Sequence, residues 1–407
     1  MSGLIGDLEM KWVNRNFSKI SNAAMIIERI VVDLLRSRHN VRGAANNSRV
    51  SSVFCTLGLI TILPCCGFSS PLYAEFKDPL DVPARLVEGL NKRPIQAVVK
   101  VDSRLVAVGA RGLMITSDDN GDTWQQSSSP VQSDLVAVNF PTEKDGWVVG
   151  HDGVVLHSTD AGKSWQKQLD GRQAKDIFTS YYHSRSSAGG EEALALVERN
   201  YASGSSLPLL DVWFKDAEHG YAVGSFGTII ATSNGGETWE PWFDRIDNEE
   251  SLNLNGINEL NGDVYIAAER GTLFKLNPLA GRFEKIETGH DGSFFGLVGS
   301  GDVLLVYGLG GTVYRSADQG ITWVELNTSS NSSITAGAVL ADSHTFVLTN
   351  AVGDLLLGNG LGKALSLQKA QKPSRYTGVV SLANDRLLIS SLEGMRIEQL
   401  HDSSAQK

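Results

Sequence analysis

The chain is expected to be an all-β, seven-bladed β-propeller with one helical insertion, and three features of the sequence lead there. An eight-residue stretch, SDDNGDTW at Ser117 to Trp124, recurs as STDAGKSW at Ser158 to Trp165, TSNGGETW at Thr232 to Trp239 and SADQGITW at Ser316 to Trp323. Ahead of each copy lies a strand, a bend closed by glycine and a second strand: VAVGARGLMITS, WVVGHDGVVLHS, YAVGSFGTIIAT and LVYGLGGTVYRS. The same hairpin occurs without a well-formed copy after it in YIAAERGTLFKL, FVLTNAVGDLLL and LLISSLEGMRIE. The seven anchor glycines, Gly112, Gly153, Gly227, Gly271, Gly311, Gly353 and Gly394, are therefore separated by 41, 74, 44, 40, 42 and 41 residues. A regular period of this size, built from short strands without intervening helices, is what four-stranded blades require.

Each eight-residue stretch makes sense as one tight turn between two strands. Ser117 and Asp119 can bond the turn's own N–H groups, Gly121 can take positive φ, and Thr123-Trp124 starts the returning strand with β-favouring residues. The matching residues are Ser158, Asp160, Gly162 and Trp165; Asn234, Gly236 and Trp239; and Ser316, Asp318, Gly320 and Trp323, with Thr232 and Asn234 as mild variants. Trp124 and Trp323 are expected to be buried between strands. A small hydroxyl residue, carboxylate or amide, glycine, hydroxyl and tryptophan in fixed order resemble the Asp-box of the BNR-repeat propellers.

Each unit opens with an inner strand, such as Leu135-Val136-Ala137-Val138, Leu210-Asp211-Val212-Trp213 or Phe295-Gly296-Leu297-Val298. The last unit runs out after Met395-Arg396-Ile397-Glu398 into a polar tail, His401 to Lys407, so its outermost strand is missing. Pro83 to Leu90 is expected to supply it, closing the ring and covering an edge. The long gap holds an insertion at about residues 171–208 that departs from the β pattern. Ile177, Phe178, Tyr181 and Tyr182 sit at helical spacing, as do Leu194, Val197 and Tyr201, and Ser186 to Gly190 reads as the link of a helical hairpin. Glu191 and Glu192 suit the start of its second helix. The hairpin is either a docking element or a decoration packed on the rim.

Residues 1–74 read as a leader. An apolar run from about Val53 to Cys66, broken by Gly58, is too short for a membrane span, which takes roughly 20 residues. Arginines 36, 38, 42 and 49 precede it and Pro71-Leu72-Tyr73-Ala74 follows, which predicts export with cleavage after Ala74 to leave the propeller as 75–407. A lipidated Cys65 or Cys66 is the alternative, disfavoured by Pro64 and Cys65 before the modified residue. The first fifty residues are unusual for such a leader and suggest a start downstream of Met1. All three cysteines fall inside the leader, so thiol nucleophiles, thiolate metal sites and disulfides are excluded from the exported part. Residues 1–74 hold eight Lys/Arg and four Asp/Glu, leaving 28 against 42 and a formal charge of −14 for 75–407. Such a surface disfavours nucleic acid and anionic membrane surfaces as general partners.

Seven such blades after a leader, with the bend before each box, resemble the photosystem II stability and assembly factor family of propellers over about residues 83–400. The resemblance implies a non-catalytic assembly platform for membrane-protein subunits, with arginines of functional importance on one face; the chain itself is expected to be exported to the periplasm and monomeric. At the bends the matching positions are Arg111 in GARG and Arg270 in AERG; the other bends carry HD, SF, LG, AV and LE. Because the box turn and the bend lie at opposite ends of a blade, and the insertion follows Trp165, it should emerge beside Arg111, His151, Asp152, Phe226, Glu269, Arg270 and Glu393. Those seven are the candidate partner-binding residues. Exposed Phe226 flanked by charges of both signs suits protein recognition, against the alternative of ordinary polar bends.

A sialidase-like glycosidase is the other reading, since sialidases also carry Asp-boxes. It needs an arginine cluster, a tyrosine nucleophile paired with glutamate and an acidic donor. The chain has Arg93-Pro94-Ile95 where a sialidase has Arg-Ile-Pro, and Tyr221, Tyr265 and Tyr307 lie on strands where core roles are expected. The histidines form no metal-ligand spacing and no phosphate loop precedes a helix, so no metal and no cofactor is expected.

Overall fold

The computed structural model describes residues 77–400 apart from 186–188, 205–206, 342–343 and 371. The expected leader with its cleavage after Ala74, the link at 186–188 and the tail from His401 lie outside the described residues. Seven antiparallel sheets follow one another along the chain, six of four strands and a last one of three. Blade 1 comprises β1 (Ile95–Val101), β2 (Arg104–Gly109), β3 (Met114–Ser117) and β4 (Gln125–Gln126); blade 2 comprises β5 (Leu135–Asn139), β6 (Gly146–Gly150), β7 (Val155–Ser158) and β8 (Gln166–Leu169). The inner strands of blades 3 to 7 are Leu209–Phe214, Leu254–Leu260, Phe294–Ser300, Ile334–Val339 and Tyr376–Ser381. The second strands are the most buried, as in Gly146–Gly150, where every residue is enclosed between neighbouring blades. Buried Trp147 shows how blades adhere: its ring stacks 4.3 Å from His157 in its own blade and 3.6 Å from Phe214 of blade 3.

The box turns form as their residue order dictates. In the first, the Ser117 hydroxyl donates to Asp119 Oδ1 (2.7 Å) and accepts the Gly121 N–H (2.9 Å). Asp119 also accepts the Thr123 N–H (2.8 Å) and hydroxyl (2.5 Å), and Trp124 Nε1 donates to the Gly121 carbonyl (3.0 Å). Ser158, Asp160, Gly162 and Trp165 repeat the pattern, as do Ser316, Asp318, Gly320 and Trp323. In the variant copy the Asn234 amide oxygen takes the carboxylate's place, accepting from the Thr232 hydroxyl and the Thr238 N–H. Trp165 and Trp239 are buried, whereas Trp124 and Trp323 are only half-buried. Trp124 packs on the cluster that joins Leu105 of blade 1 to Leu388 of blade 7, and Trp323 on the one that joins blades 4 and 5.

Hydrogen bonds from Thr123 and Thr322, then from Ser117 and Ser316, hold the Asp119 and Asp318 carboxyls down at about 2. Their folded pKa values lie below the unfolded value of about 4, so the stability they contribute is present above pH ~4 and is lost as pH falls towards ~2. The pair Asp119→Asn and Asp318→Asn, which copies Asn234, should flatten the fall in urea midpoint between pH 5 and pH 2. An unchanged fall would contradict this role for the two carboxylates.

Pro83 to Leu90 does not form the outer strand of blade 7, contrary to expectation. Pro83 has no N–H, and its carbonyl together with that of Arg85 is taken by the Gln132 and Gln126 side chains (2.9 and 2.8 Å). The Ala84 N–H donates to the Ser129 carbonyl, and the Val87 N–H to Gln126 Oε1. The segment is thus bound along blade 1 and its outgoing loop, leaving blade 7 with three strands. The ring closes instead through inner-strand packing, with the Thr377 hydroxyl on the Ile95 carbonyl (2.7 Å) and Leu382 and Leu388 against Leu105.

The insertion is a helical hairpin, α1 (Gly171–His183) and α2 (Gly190–Asn200). Asp170 caps α1 by accepting from the Arg172 and Gln173 N–H groups, with Gln173 reaching back in a capping box. Phe178, Tyr182, Val197 and Tyr201 are buried with Trp239 of blade 3 and Phe243 of the connection that follows it, while Ile177 of the expected apolar stripe faces outwards. Arg172 ties the hairpin to the incoming chain, pairing with both oxygens of Asp81 (2.8 and 2.9 Å) and with Asp170 (2.8 Å).

Candidate functional site

The bends between second and third strands lie together at one end of the barrel of blades, the box turns at the other. Each bend depends on close backbone approach. In blade 1 a Cβ on Gly109 would stand 2.3 Å from the Pro94 carbonyl oxygen, and one on Gly112, at φ +71°, 2.0 Å from that of Val131. The residue between these constraints is forced left-handed. Arg111 (φ 59°), Asp152 (60°), Phe226 (53°) and Arg270 (54°) all adopt this conformation, and blade 5 places Gly310 there at 70°. Glycine therefore fits the position, and each of the four larger residues is held there at a cost of about 1–2 kcal/mol.

Neighbouring bends are fastened in pairs by the residue that precedes an inner strand. Asp134 accepts the Arg111 N–H on Oδ1 (2.7 Å) and the His151 N–H on its carbonyl (2.9 Å), which links blades 1 and 2. Asn253 accepts the Phe226 N–H (2.7 Å) and gives its own N–H and amide to Glu269 (3.0 and 3.2 Å), linking blades 3 and 4. Ser333 does the same between blades 5 and 6, accepting the Gly310 N–H and, on its carbonyl, the Ala351 N–H. These linking residues were not singled out from the sequence. Their signal is a small polar residue just before Leu or Ile at the start of an inner strand: Asp134-Leu135, Asn253-Leu254 and Ser333-Ile334.

Within this frame the candidate residues divide. Arg111 is exposed and its guanidinium has no ion pair among the described residues; His151 is exposed; and Phe226 is 54% exposed. Arg270 is exposed and pairs with Glu250. Asp152 accepts from the Ser133 hydroxyl (2.8 Å). Glu269 is engaged by Asn253, and Glu393 by the Ser374 hydroxyl (3.0 Å), the Arg375 N–H (2.9 Å) and the Arg375 guanidinium (2.8 Å). The insertion reaches this face beside Phe226, whose carbonyl accepts the Asn200 amide at 3.0 Å. Nearby the Arg199 guanidinium donates to Ser251 Oγ at 2.9 Å. Exposed Leu309 and Val352, on the bends of blades 5 and 6, add apolar surface to the same end.

A central channel of about 350 Å³ runs between the inner strands, with Phe295 among the residues lining it. Asp211 is the one charged group among the described residues lining it. Its carboxyl accepts the Val212 and Ile257 N–H groups (2.9 and 2.8 Å), and burial, outweighing those donors, pushes it up to about 7.

The sequence profile of the family described as photosynthesis system II assembly factor YCF48 matches residues 95–173 and 201–326. The photosystem II assembly lipoprotein Ycf48 of Synechococcus sp. (strain CC9902) is 26% identical over 192 residues, 44% of this chain and 56% of that protein, so the chain spans little more than half of this relative's length. Among solved structures, one described as YCF48 bound to D1 peptide is similar at a TM-score of 0.56 and 17% identity, covering 80% of this chain and 99% of that one. YCF48 from Cyanidioschyzon merolae gives a TM-score of 0.54 at 15% identity, covering 77% of this chain and 97% of that one. At these identities the structural likeness is one of fold.

Proposed function

The chain belongs to the photosynthesis system II assembly factor YCF48 family, and on that premise we propose that it is a non-catalytic, exported propeller whose bend face docks a protein segment of a membrane complex. One observation carries the reading. Arg111, Phe226 and Arg270 occupy left-handed positions that glycine fills in blade 5, and they present guanidinium and aromatic groups on bends joined in pairs by Asp134, Asn253 and Ser333. Aromatic and arginine anchors on a rigid frame are what protein recognition uses, because little conformational freedom remains to be lost on binding. The solved relative bound to D1 peptide supports a peptide segment as the occupant. Export past a cleaved leader to the periplasm, and action there as a monomer on a membrane-associated partner, complete the proposal.

Three further features favour a platform over a glycosidase. Burial raises the phenols of Tyr221, Tyr265 and Tyr307, the opposite of what an activated nucleophile requires. The Tyr265 hydroxyl is engaged by the Gln319 carbonyl at 2.9 Å. Among the described residues lining the channel, Asp211 is the sole carboxylate, whereas glycoside hydrolysis uses two acidic groups or a tyrosine with acidic partners.

A photo-cross-linking side chain at position 226, compared with one at position 163 on the box face, tests the proposal in intact cells. Products at 226 that mass spectrometry identifies as a subunit of a membrane complex are expected, with none at 163. Products from 163 alone would overturn it.

A further inference from the structure

Most of the helical hairpin, residues 174–200, falls between the two segments that the family profile matches. Between α2 and the connection from blade 3 to blade 4 lies a cleft of about 540 Å³. Its floor is apolar, with Leu196 half-buried on α2 facing the connection's buried Phe243 and Ile246. The cleft is of the size that accepts a few side chains.

The charges around it are unequally committed. Of the two arginines that line it, Arg282 pairs with Asp247, while Arg199 donates to the neutral Ser251 hydroxyl and keeps its charge. Asp244 accepts the Tyr182 hydroxyl at 2.9 Å. Glu192 and Glu249 are exposed at the rim and have no ion pair among the described residues. Among the described residues, three carboxylates without an ion pair, Asp244, Glu192 and Glu249, stand against the one unpaired cation, Arg199, so the balance of charge favours a cationic occupant over an anionic one. We propose that this cleft docks an amphipathic segment of a partner protein, its aliphatic side chains on Leu196, Phe243 and Ile246 and its lysines or arginines on Glu192 and Glu249. The proposal rests on the reading of the chain as a docking platform but uses a separate surface, contributed by the insertion. It makes the hairpin a determinant of which partner segment is held.

Fluorescence anisotropy with a labelled amphipathic helical peptide of leucine and lysine, and its leucine–glutamate counterpart, tests the assignment on the purified chain. The lysine peptide should bind and the glutamate peptide should not. Glu192→Lys with Glu249→Lys should weaken the lysine peptide by at least about tenfold, while the same charge change at exposed Asp122 and Glu143 on the box face should alter it by less than about threefold. Unchanged melting temperatures would establish that the variants fold. Equal weakening by both pairs would reduce the effect to general attraction by an acidic protein and overturn the proposal, as would equal binding of the glutamate peptide. Arg111→Glu, on a distant blade, should leave peptide affinity unchanged while impairing capture at the bends, so the two docking readings fail independently.

Discussion

Trp165→Ala is expected to destabilise the propeller by about 3–5 kcal/mol in urea titration, in the range of large-to-small changes at fully enclosed aromatic sites. The ring is buried in the core cluster that joins blades 1 and 2, meets Phe140 edge-on at 5.8 Å, and donates Nε1 to the Gly162 carbonyl at 3.1 Å. Truncation would open a cavity between two blades and leave that carbonyl without its partner. The same change at Trp124 should cost less, roughly 1–2 kcal/mol, because the half-buried ring already meets water on one side. Equal losses at the two positions would contradict this difference in burial.

That contrast shows where sequence reading ended. The box turns were legible because Ser117, Asp119, Gly121 and Thr123 bond within one local segment, and local order is written along the chain. The hairpin helices were legible for the same reason, through the spacing of Phe178 with Tyr182 and of Val197 with Tyr201. Burial of a box tryptophan depends instead on side chains of the neighbouring blade, which nothing near Trp124 in the sequence records. Pro83 to Leu90 went astray similarly: its length suits a strand, but the glutamines that capture it, Gln126 and Gln132, lie some forty residues on.

The candidate face was legible in outline and not in detail. Chain direction alone placed Arg111, Phe226 and Arg270 at one end with the insertion, and Asn200 does meet Phe226 there. The left-handed backbone of the bends was foreshadowed only by the glycines that close them. The partners of Glu269 and Glu393 could not be foreseen, because Asn253, Ser374 and Arg375 come from the loops that enter the inner strands. These two acids brace the frame, which leaves Arg111, Phe226 and Arg270 as the groups to perturb.

Capture of the partner from membrane extract by the immobilised chain is the most direct measurement of the central claim. The combined change Arg111→Glu, Phe226→Ala and Arg270→Glu should reduce capture by about a hundredfold or more, since centrally placed arginine and aromatic anchors commonly contribute 2 kcal/mol or more each. The melting temperature should stay nearly constant, because all three side chains are exposed and the backbone bonds that hold the bends are kept. Lys163→Glu on the box face should leave capture unchanged. If the triple variant and Lys163→Glu hold the partner equally well, the bend face is not the docking surface.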